Sequence, residues 1–274
     1  LDAREDSDQR TDMSDSRIES EKSGDKVHPT KRVERVIAGR KIFVAMNAEL
    51  KSCYKIMSKE LKGKKIDMET ILKLSYHIFF LGLLDFKKEL PSLSAHYGMP
   101  KELLEKVHGA LKLAKDQHYD HGIKHYNGVA LEFNYKPYTG HQSRLAHYYR
   151  HLFQMLKFVT KEHSSGLSYE NKRDLLRILR AQLSNHEQLL LFYNWYSDFG
   201  FAWEEKRHER RLRKEGNYYF TDYRMIHNIP VRLLIKDLDL YRIFSPKYRF
   251  FLYEKGRRQE DTLFELLDIK TLLD

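Results

Sequence analysis

Cysteine, proline and glycine are all scarce in this 274-residue chain. The single cysteine, Cys53, excludes an intramolecular disulfide and a zinc site built on cysteines, and it suits a reducing compartment such as the cytosol. Because there are only 6 prolines and 13 glycines, long Leu-, Lys-, Glu- and Arg-rich stretches run without helix breakers. The sequence therefore predicts an all-α fold, a multi-helix bundle.

Apolar runs long enough to cross a membrane are also missing. The most apolar stretch is residues 71–84, and it contains Lys73 and His77. A membrane-spanning helix needs about 20 apolar residues, so this run is too short and too polar. We therefore expect a cytoplasmic protein. The chain begins with Leu rather than Met, so membrane association through an upstream anchor stays open as an alternative.

The first 30 residues lack large apolar side chains almost entirely and are dense in Asp, Ser, Arg and Glu. Such a segment cannot bury enough surface to offset the entropy lost on ordering. We predict a disordered polar leader or linker over residues 1–30 and one helical domain over residues 31–274. The excess of 49 basic over 39 acidic side chains gives a net charge of +10, which allows contact with nucleic acid without requiring it.

Apolar residues recur at helical spacing through most of the remaining chain. They predict helices over residues 31–61, Met68–Phe86 and Lys101–Lys115, with Pro91 and Pro100 marking a connection. The second of these is apolar on most sides, so we expect it to be central and buried, with Asp67 as its cap. Helical spacing also runs from residue 225 to 238 and from 263 to 273, and charged and aromatic-basic stretches cover residues 204–215 and 241–253.

Residues 116–139 interrupt the helical pattern. They form either a loop packed by its aromatic side chains or a short hairpin turning at Asn127-Gly128. Three histidines fall here, at His118, His121 and His125, but no carboxylate or cysteine spacing completes a metal site. We predict no bound metal and no cofactor.

Two helices joined by a short Ser/Gly turn organise the chain, Gly140–Val159 and Asn171–Asn194. The short turn makes them antiparallel neighbours, so the bundle is built around a long antiparallel helix hairpin. On the first helix, one stripe is apolar and a second sector carries Arg144, His147, His151 and Gln154, while Arg150 points to solvent. The apolar stripe consists of Leu145, Tyr149, Leu152, Leu156 and Val159, with Tyr148 beside it.

On the second helix, Gln182 and His186 interrupt an apolar stripe, and buried polar groups need partners. Antiparallel packing centred on Gly166 places His147 near Asn185 and His151 near Gln182. We therefore predict one polar cluster between the helices. Its members are Arg144, His147, His151, Gln182 and His186, with Glu187 at its edge.

This cluster has two interpretations. It is a hydrogen-bonded network that fixes the register of two helices, or it is catalytic. Arg144 and His151 have an R-x6-H spacing, which resembles the Arg-x4-6-His motif of the HEPN superfamily of helical ribonucleases. There, helix-borne Arg and His side chains bind and cleave RNA, usually across a dimer. Histidine suits proton transfer near neutral pH and arginine suits a phosphate, so Arg144, His147 and His151 are the candidate catalytic residues.

The residues of the hairpin resemble those of the putative phage abortive infection family (AbiC-like). GHQSRLAHYYRHLFQMLKFV and LLRILRAQLSNHEQLLLFYN carry the resemblance, and GRKIFVAMNAEL at residues 39–50 resembles an earlier Gly-Arg-x-x-Phe helix of that family. The likeness covers roughly residues 37–235. The positions that match the family pattern are Gly140, His141, His147, Tyr148, Arg150, Gln182, Glu187, Tyr193 and Asn194.

The resemblance implies bacterial antiphage defence, in which infected cells stop growing or die before phage is released. It does not imply a mechanism. A non-enzymatic helical effector or sensor is our preferred interpretation, and a HEPN-like ribonuclease using Arg144 and His151 is the alternative. His141, Arg150, Gln182, His186, Glu187 and Asn194 are candidate binding or polar-cluster residues. The expected partners are a second copy of the chain, RNA or a phage component, and a membrane element upstream.

Overall fold

The computed structural model describes residues 39–162, 166–204, 216–236, 238–240, 242–244 and 263–264. The predicted leader over residues 1–30, the first residues of the predicted first helix and most of the charged and aromatic-basic stretches lie outside these ranges. The predicted terminal helix over 263–273 also lies outside them, apart from its first two residues.

The described ranges are mainly helical, which confirms the all-α prediction. The α-helices are α1 (Lys41–Glu60), α2 (Met68–Leu81), α3 (Leu83–Tyr97), α4 (Lys101–His121), α5 (Gln142–Lys157), α6 (Tyr169–Ala181) and α7 (Asn185–Tyr196). Two short strands, β1 (His125–Tyr126) and β2 (Val129–Ala130), pair antiparallel between α4 and α5. A π-helical turn, Phe158–Glu162, extends α5, and 3-10 turns cover Phe201–Trp203 and Val231–Leu233.

Helix α2 is the central helix of the bundle, as its composition predicts. Every residue from Ile71 to Phe80 is buried, and the Asp67 carboxylate caps the helix by accepting from the Thr70 backbone N–H at 2.7 Å. One side of α1 and α2 packs on α5, α7 and later residues, and the other packs on α3, α4 and the hairpin. Within the described ranges, no helix is both long and apolar enough to cross a bilayer.

The connections differ from the prediction in three places. The helix predicted over Met68–Phe86 ends at Gly82, whose φ of 95° is unfavourable for residues with a side chain. Pro91 lies inside α3 rather than in a connection, and α4 continues six residues further than predicted, to His121. Of the two alternatives for the following segment, the hairpin is correct, because Asn127 and Gly128 both have positive φ, as a tight type I′ turn requires.

The central helix pair is antiparallel, but its second helix is broken. Thr160 O accepts from Lys172 Nζ at 3.1 Å, and the Tyr148 hydroxyl reaches Glu187 at 2.8 Å, so the pair runs in opposite directions. The prediction of one continuous helix over residues 171–194 is wrong. Ser184 starts a new helix, α7, through a capping box with Glu187.

The helical spacing at residues 225–238 does not correspond to an α-helix, because the described residues 225–236 contain a 3-10 turn and irregular backbone instead. Pro230 explains the difference. Proline has no backbone N–H to donate, and it disfavours helical geometry in the residue before it, Ile229.

Candidate functional site

The candidate catalytic residues lie on the solvent side of α5. Leu145, Tyr149, Leu152 and Leu156 are buried, which confirms the predicted core stripe apart from the half-buried Val159. Arg144, His147 and His151 are exposed and lie within two turns of one another, and we call these three residues the α5 polar face. Arg150 is exposed too, as predicted.

The structure does not bring the five predicted cluster residues together. Gln182 is exposed at the end of α6, where its backbone carbonyl accepts from the Arg40 guanidinium at 2.7 Å. His186 is half-buried beside α1: its carbonyl accepts from Asn47 Nδ2 at 3.0 Å, and burial together with Lys51 lowers its pKa. Because the chain breaks at Ser184, α7 does not continue the helical face of α6, so the prediction of a cluster across one continuous helix fails.

The contact that does join α5 to α7 is between Tyr148 and Glu187. The carboxylate of Glu187 accepts from the Tyr148 hydroxyl at 2.8 Å, from the Ser184 backbone N–H at 2.8 Å and from the Ser184 hydroxyl at 2.6 Å. Glu187 is buried, and these three bonds satisfy its charge. The role of this residue in the structure is to start α7 and hold it against α5. Sequence reasoning missed the signal, which was the Ser-x-x-Glu spacing of a capping box.

His141 belongs to a buried polar pair at the start of α5. Its Nε2 lies 2.8 Å from Glu49 Oε2 on α1, and the two side chains are only 2% and 0% exposed. Glu49 Oε1 accepts from the Tyr138 backbone N–H at 2.6 Å, and the ring of His141 packs on Phe79 with centroids 4.7 Å apart. Burial and the Glu49 carboxylate raise the pKa of Tyr135, which lies beside the pair. We call Glu49 and His141 the buried pair.

Sequence reasoning also missed Glu49. The sequence does indicate this residue, because Glu49 is a charged residue on the apolar face of α1, beside Met46, Leu50 and Cys53. Burial and then Glu49 raise the pKa of the Cys53 thiol well above its ordinary value, so this cysteine is held in the unreactive protonated form.

A close approach of two backbone segments places the buried pair. The Leu83 N–H donates to Tyr138 O at 3.0 Å, and the His141 N–H donates to Phe80 O at 2.9 Å. Gly140 has a φ of 93°, and a Cβ there would stand 2.6 Å from Leu81 O. Only glycine fits this position, so the Gly-His dipeptide locks the start of α5 onto the junction between α2 and α3.

Two further predicted residues are explained by packing. Asn194 is buried, and its Nδ2 donates to the Tyr76 hydroxyl at 3.0 Å. His118 is buried at the end of α4, with its ring nitrogens 2.8 Å from Ile123 O and 2.9 Å from Phe133 O. Within the described residues, no group of three or more His, Cys, Asp and Glu side chains is placed to hold a metal ion.

The α5 polar face can present charge and hydrogen-bond donors to a partner. From Gln142 to Lys157 the helix contains two arginines, one lysine and two histidines but no carboxylate. Among the described residues, neither His147 nor His151 has a carboxylate partner that would fix its tautomer, which a general base usually needs. The α5 polar face therefore offers cationic and hydrogen-bonding side chains to a partner.

Comparison with known proteins gives one match. Residues 140–234, which begin at the Gly-His dipeptide and run through α5, α6 and α7, match the model of the family described as putative phage abortive infection protein. This confirms the resemblance over the helix pair, while residues 37–139 lie outside the match. No curated protein and no solved structure matches the chain.

Proposed function

We propose that this chain, whose residues 140–234 carry the abortive infection domain, acts in phage defence as a non-enzymatic helical effector or sensor. Its contact surface is the α5 polar face. This assignment rests on the exposure of Arg144, His147 and His151. The buried pair fixes the start of the helix that carries them.

The charge of α5 favours an anionic partner. Its basic side chains are not offset by any carboxylate on the same helix, and Arg144, Arg150 and His151 are all exposed. Arginine offers several donors in a fixed planar arrangement, which suits phosphate or carboxylate groups. RNA and an acidic phage component are the partners that this chemistry would recognise.

The anchoring of α5 supports a role in recognition. The buried pair fixes the first turn of the helix, and Tyr148 with Glu187 fixes its middle. A rigid helix presents its side chains in one arrangement and loses little conformational entropy on binding. The α5 polar face is therefore preorganised for a partner.

A HEPN-like ribonuclease is the second candidate, and one observation favours it. Arg144 and His151 are exposed on the same side of α5 rather than buried in an internal network. A second copy facing this helix would bring two such pairs together, as the R-x6-H resemblance implies. His151 would then transfer a proton and Arg144 would bind the scissile phosphate.

Plaque assays on cells expressing the full chain test both candidates. Arg144→Ala and His151→Ala should each abolish protection while the purified variants keep the helical circular dichroism of the parent. Gln142→Ala is the matched control, because Gln142 is also exposed on α5 but lies on the opposite side of the helix from His151. Protection that survives both substitutions, or a parent chain that protects against no phage of the panel, would contradict the proposal.

RNA integrity and oligomeric state separate the two candidates. For a non-enzymatic module, RNA extracted from infected cells stays whole in every strain. For a ribonuclease, the parent strain shows cleaved RNA and the Arg144→Ala strain does not. A ribonuclease of this kind should also be a dimer by light scattering.

A further inference from the structure

The solvent side of α1 carries a row of lysines that the proposed contact surface on α5 does not explain. Residues three or four positions apart share one face of a helix, and four such positions along α1 and the turn after it are lysines. Lys55, Lys59 and Lys62 are exposed, and Lys51 is half-buried. We call these four residues the α1 basic ridge. It lies outside residues 140–234, which match the abortive infection family.

The charge of the ridge is not offset by carboxylates. α1 contains two acidic residues: Glu49 is buried, and Glu60 pairs with Lys106 of α4, with 3.1 Å between Oε2 and Nζ. Among the residues that the structure describes, no carboxylate forms an ion pair with a lysine of the ridge. Lys59 Nζ donates to the backbone carbonyl of Asn127, which is neutral, so this ammonium keeps its charge.

Two exposed lysines on other helices show the more usual arrangement. On α3, Lys88 Nζ lies 2.7 Å from Asp85 Oδ1, and on α4, Lys101 Nζ lies 3.4 Å from Glu105 Oε1. Such pairs of opposite charge at a spacing of three or four residues stabilise a helix. The ridge on α1 has lysine neighbours at this spacing instead.

The stability of α1 does not account for the ridge. Like charges four residues apart on a helix repel each other, and Lys51 with Lys55 and Lys55 with Lys59 are two such pairs. The helix dipole favours a lysine in the last turn, which explains Lys59 but neither Lys51 nor Lys55. The row therefore destabilises its own helix, as a binding surface often does.

Positive potential prevails around the ridge. Burial and then the charge of Lys55 lower the pKa of Lys51, and the Glu132 carboxylate raises it by less. Burial and then Lys51 also lower the pKa of His186, at the start of α7. The ammonium groups therefore outweigh the one nearby carboxylate, and this side of α1 attracts anions.

The shape of the ridge fits the backbone of a nucleic acid. From Lys51 to Lys59 it extends about 12 Å, at a rise of about 1.5 Å per residue. One strand of a duplex has a phosphate about every 3.4 Å along the axis, so the ridge matches about four successive phosphates. A helix that lies on a membrane buries Trp, Phe or Leu side chains in it, whereas here Ser58 lies between Lys55 and Lys62.

We propose that the α1 basic ridge binds the phosphate backbone of a nucleic acid. Its ammonium groups contact successive phosphates along one strand. Contacts to phosphates carry no sequence information, so binding is independent of the base sequence. A single strand or a duplex could supply this backbone. The proposal does not depend on the α5 polar face.

Fluorescence anisotropy with the full chain tests the proposal. The probes are a labelled short single-stranded RNA and a DNA duplex of the same length, each in two base sequences. We expect at least one of them to bind, with equal affinity for both base sequences. A plot of log affinity against log salt concentration should have a slope of about −3 to −4, as about four phosphate contacts require. Binding of the RNA alone would identify a single strand as the ligand, and binding of the duplex would show that a duplex fits.

Two double variants that remove the same charge locate the binding. Lys55→Gln/Lys62→Gln should weaken binding at least about tenfold and reduce the salt slope by about half. Lys88→Gln/Lys101→Gln, on α3 and α4, should change neither. All four lysines are exposed, so both proteins should keep the circular dichroism of the parent.

Three outcomes would overturn the proposal. The first is binding of neither nucleic acid, including the case in which the chain instead sediments with phosphatidylserine vesicles. The second is equal affinity of the two double variants. The third is loss of binding in Arg144→Ala while Lys55→Gln/Lys62→Gln still binds, which would assign the nucleic acid to the α5 polar face.

Discussion

Replacing His141 by alanine should destabilise the fold far more than replacing a second histidine of the same helix. His141 is 2% exposed and faces a carboxylate that is fully buried, whereas His147 lies exposed two turns away. In the His141→Ala variant, the Glu49 carboxylate keeps its bond from the Tyr138 N–H but loses its 2.8 Å partner. The buried carboxylate would then keep only part of the hydrogen bonding that it has in the parent chain.

The expected loss of stability follows from that missing partner. Removing one partner of a buried pair lowers the free energy of unfolding by about 3–5 kcal/mol. A typical domain has a total of about 5–15 kcal/mol, so the variant should unfold at a much lower urea concentration. For His147→Ala, an exposed position without a described partner, we expect a change within about 0.5 kcal/mol.

Urea unfolding followed by tryptophan fluorescence measures both values. The chain has 2 tryptophans, Trp195 and Trp203, and both are buried in the core that unfolding exposes. If His141→Ala does not fold, His141→Gln provides a second measurement, because it keeps an N–H donor and should lose less stability. The reasoning is wrong if His141→Ala and His147→Ala differ by less than about 1 kcal/mol.

Three further outcomes are expected from urea unfolding. Gly140→Ala should lower the free energy of unfolding by at least about 2 kcal/mol, because of backbone strain and the close Leu81 carbonyl. Gly109→Ala, in open space within α4, should raise it by about 0.5–1 kcal/mol. Equal effects of the two substitutions would contradict this account. Ser184→Ala should lose about 1 kcal/mol by removing the cap of α7, and an unchanged midpoint would refute the capping role. Burial lowers the pKa of His77 from 6.5, so the unfolded chain binds a proton at this residue more readily than the folded chain does. The free energy of unfolding should therefore fall as pH drops from 7 towards 5. His77→Gln should reduce this pH dependence, and an unchanged dependence would show that His77 is not its source.

Local signals in the sequence were sufficient for much of the fold. The apolar run of α2 and the Asp67 cap predict a buried helix with its correct first residue, and the spacing of Leu145, Tyr149 and Leu152 predicts the core side of α5. These features depend only on residues within a few positions of one another. Periodicity and capping preferences therefore describe them well.

The break between α6 and α7 could not be predicted from periodicity, because two local signals disagreed. Apolar spacing continues across Gln182 and His186 as if one helix ran through, while Ser184 and Glu187 have the spacing of a helix start. The structure follows the capping box. Once the helix breaks, positions that share a face on an ideal helix no longer do so, and the predicted polar cluster disappears with it.

The buried pair lay beyond sequence reasoning for a different reason. Glu49 and His141 are 92 positions apart, and no local pattern links them. Their meeting requires α1, α2 and the segment before α5 to pack together, and the close backbone contact at Gly140 sets the distance. Such a contact is a property of the tertiary arrangement, so only the charged residue on the apolar face of α1 hinted at it.

The burial of His141 changes how defence experiments on the family motif should be interpreted. Its ring is enclosed by Glu49 and Phe79, so it cannot touch RNA or a phage component unless the domain opens. Loss of protection in a His141 variant would therefore report loss of folded protein, and its urea midpoint should fall in parallel. Arg144 and His151 are exposed, so their variants should lose protection without a change in midpoint. If an Arg144 variant lost protection and its urea midpoint fell in parallel, Arg144 would have a structural role. It would then not belong to the contact surface.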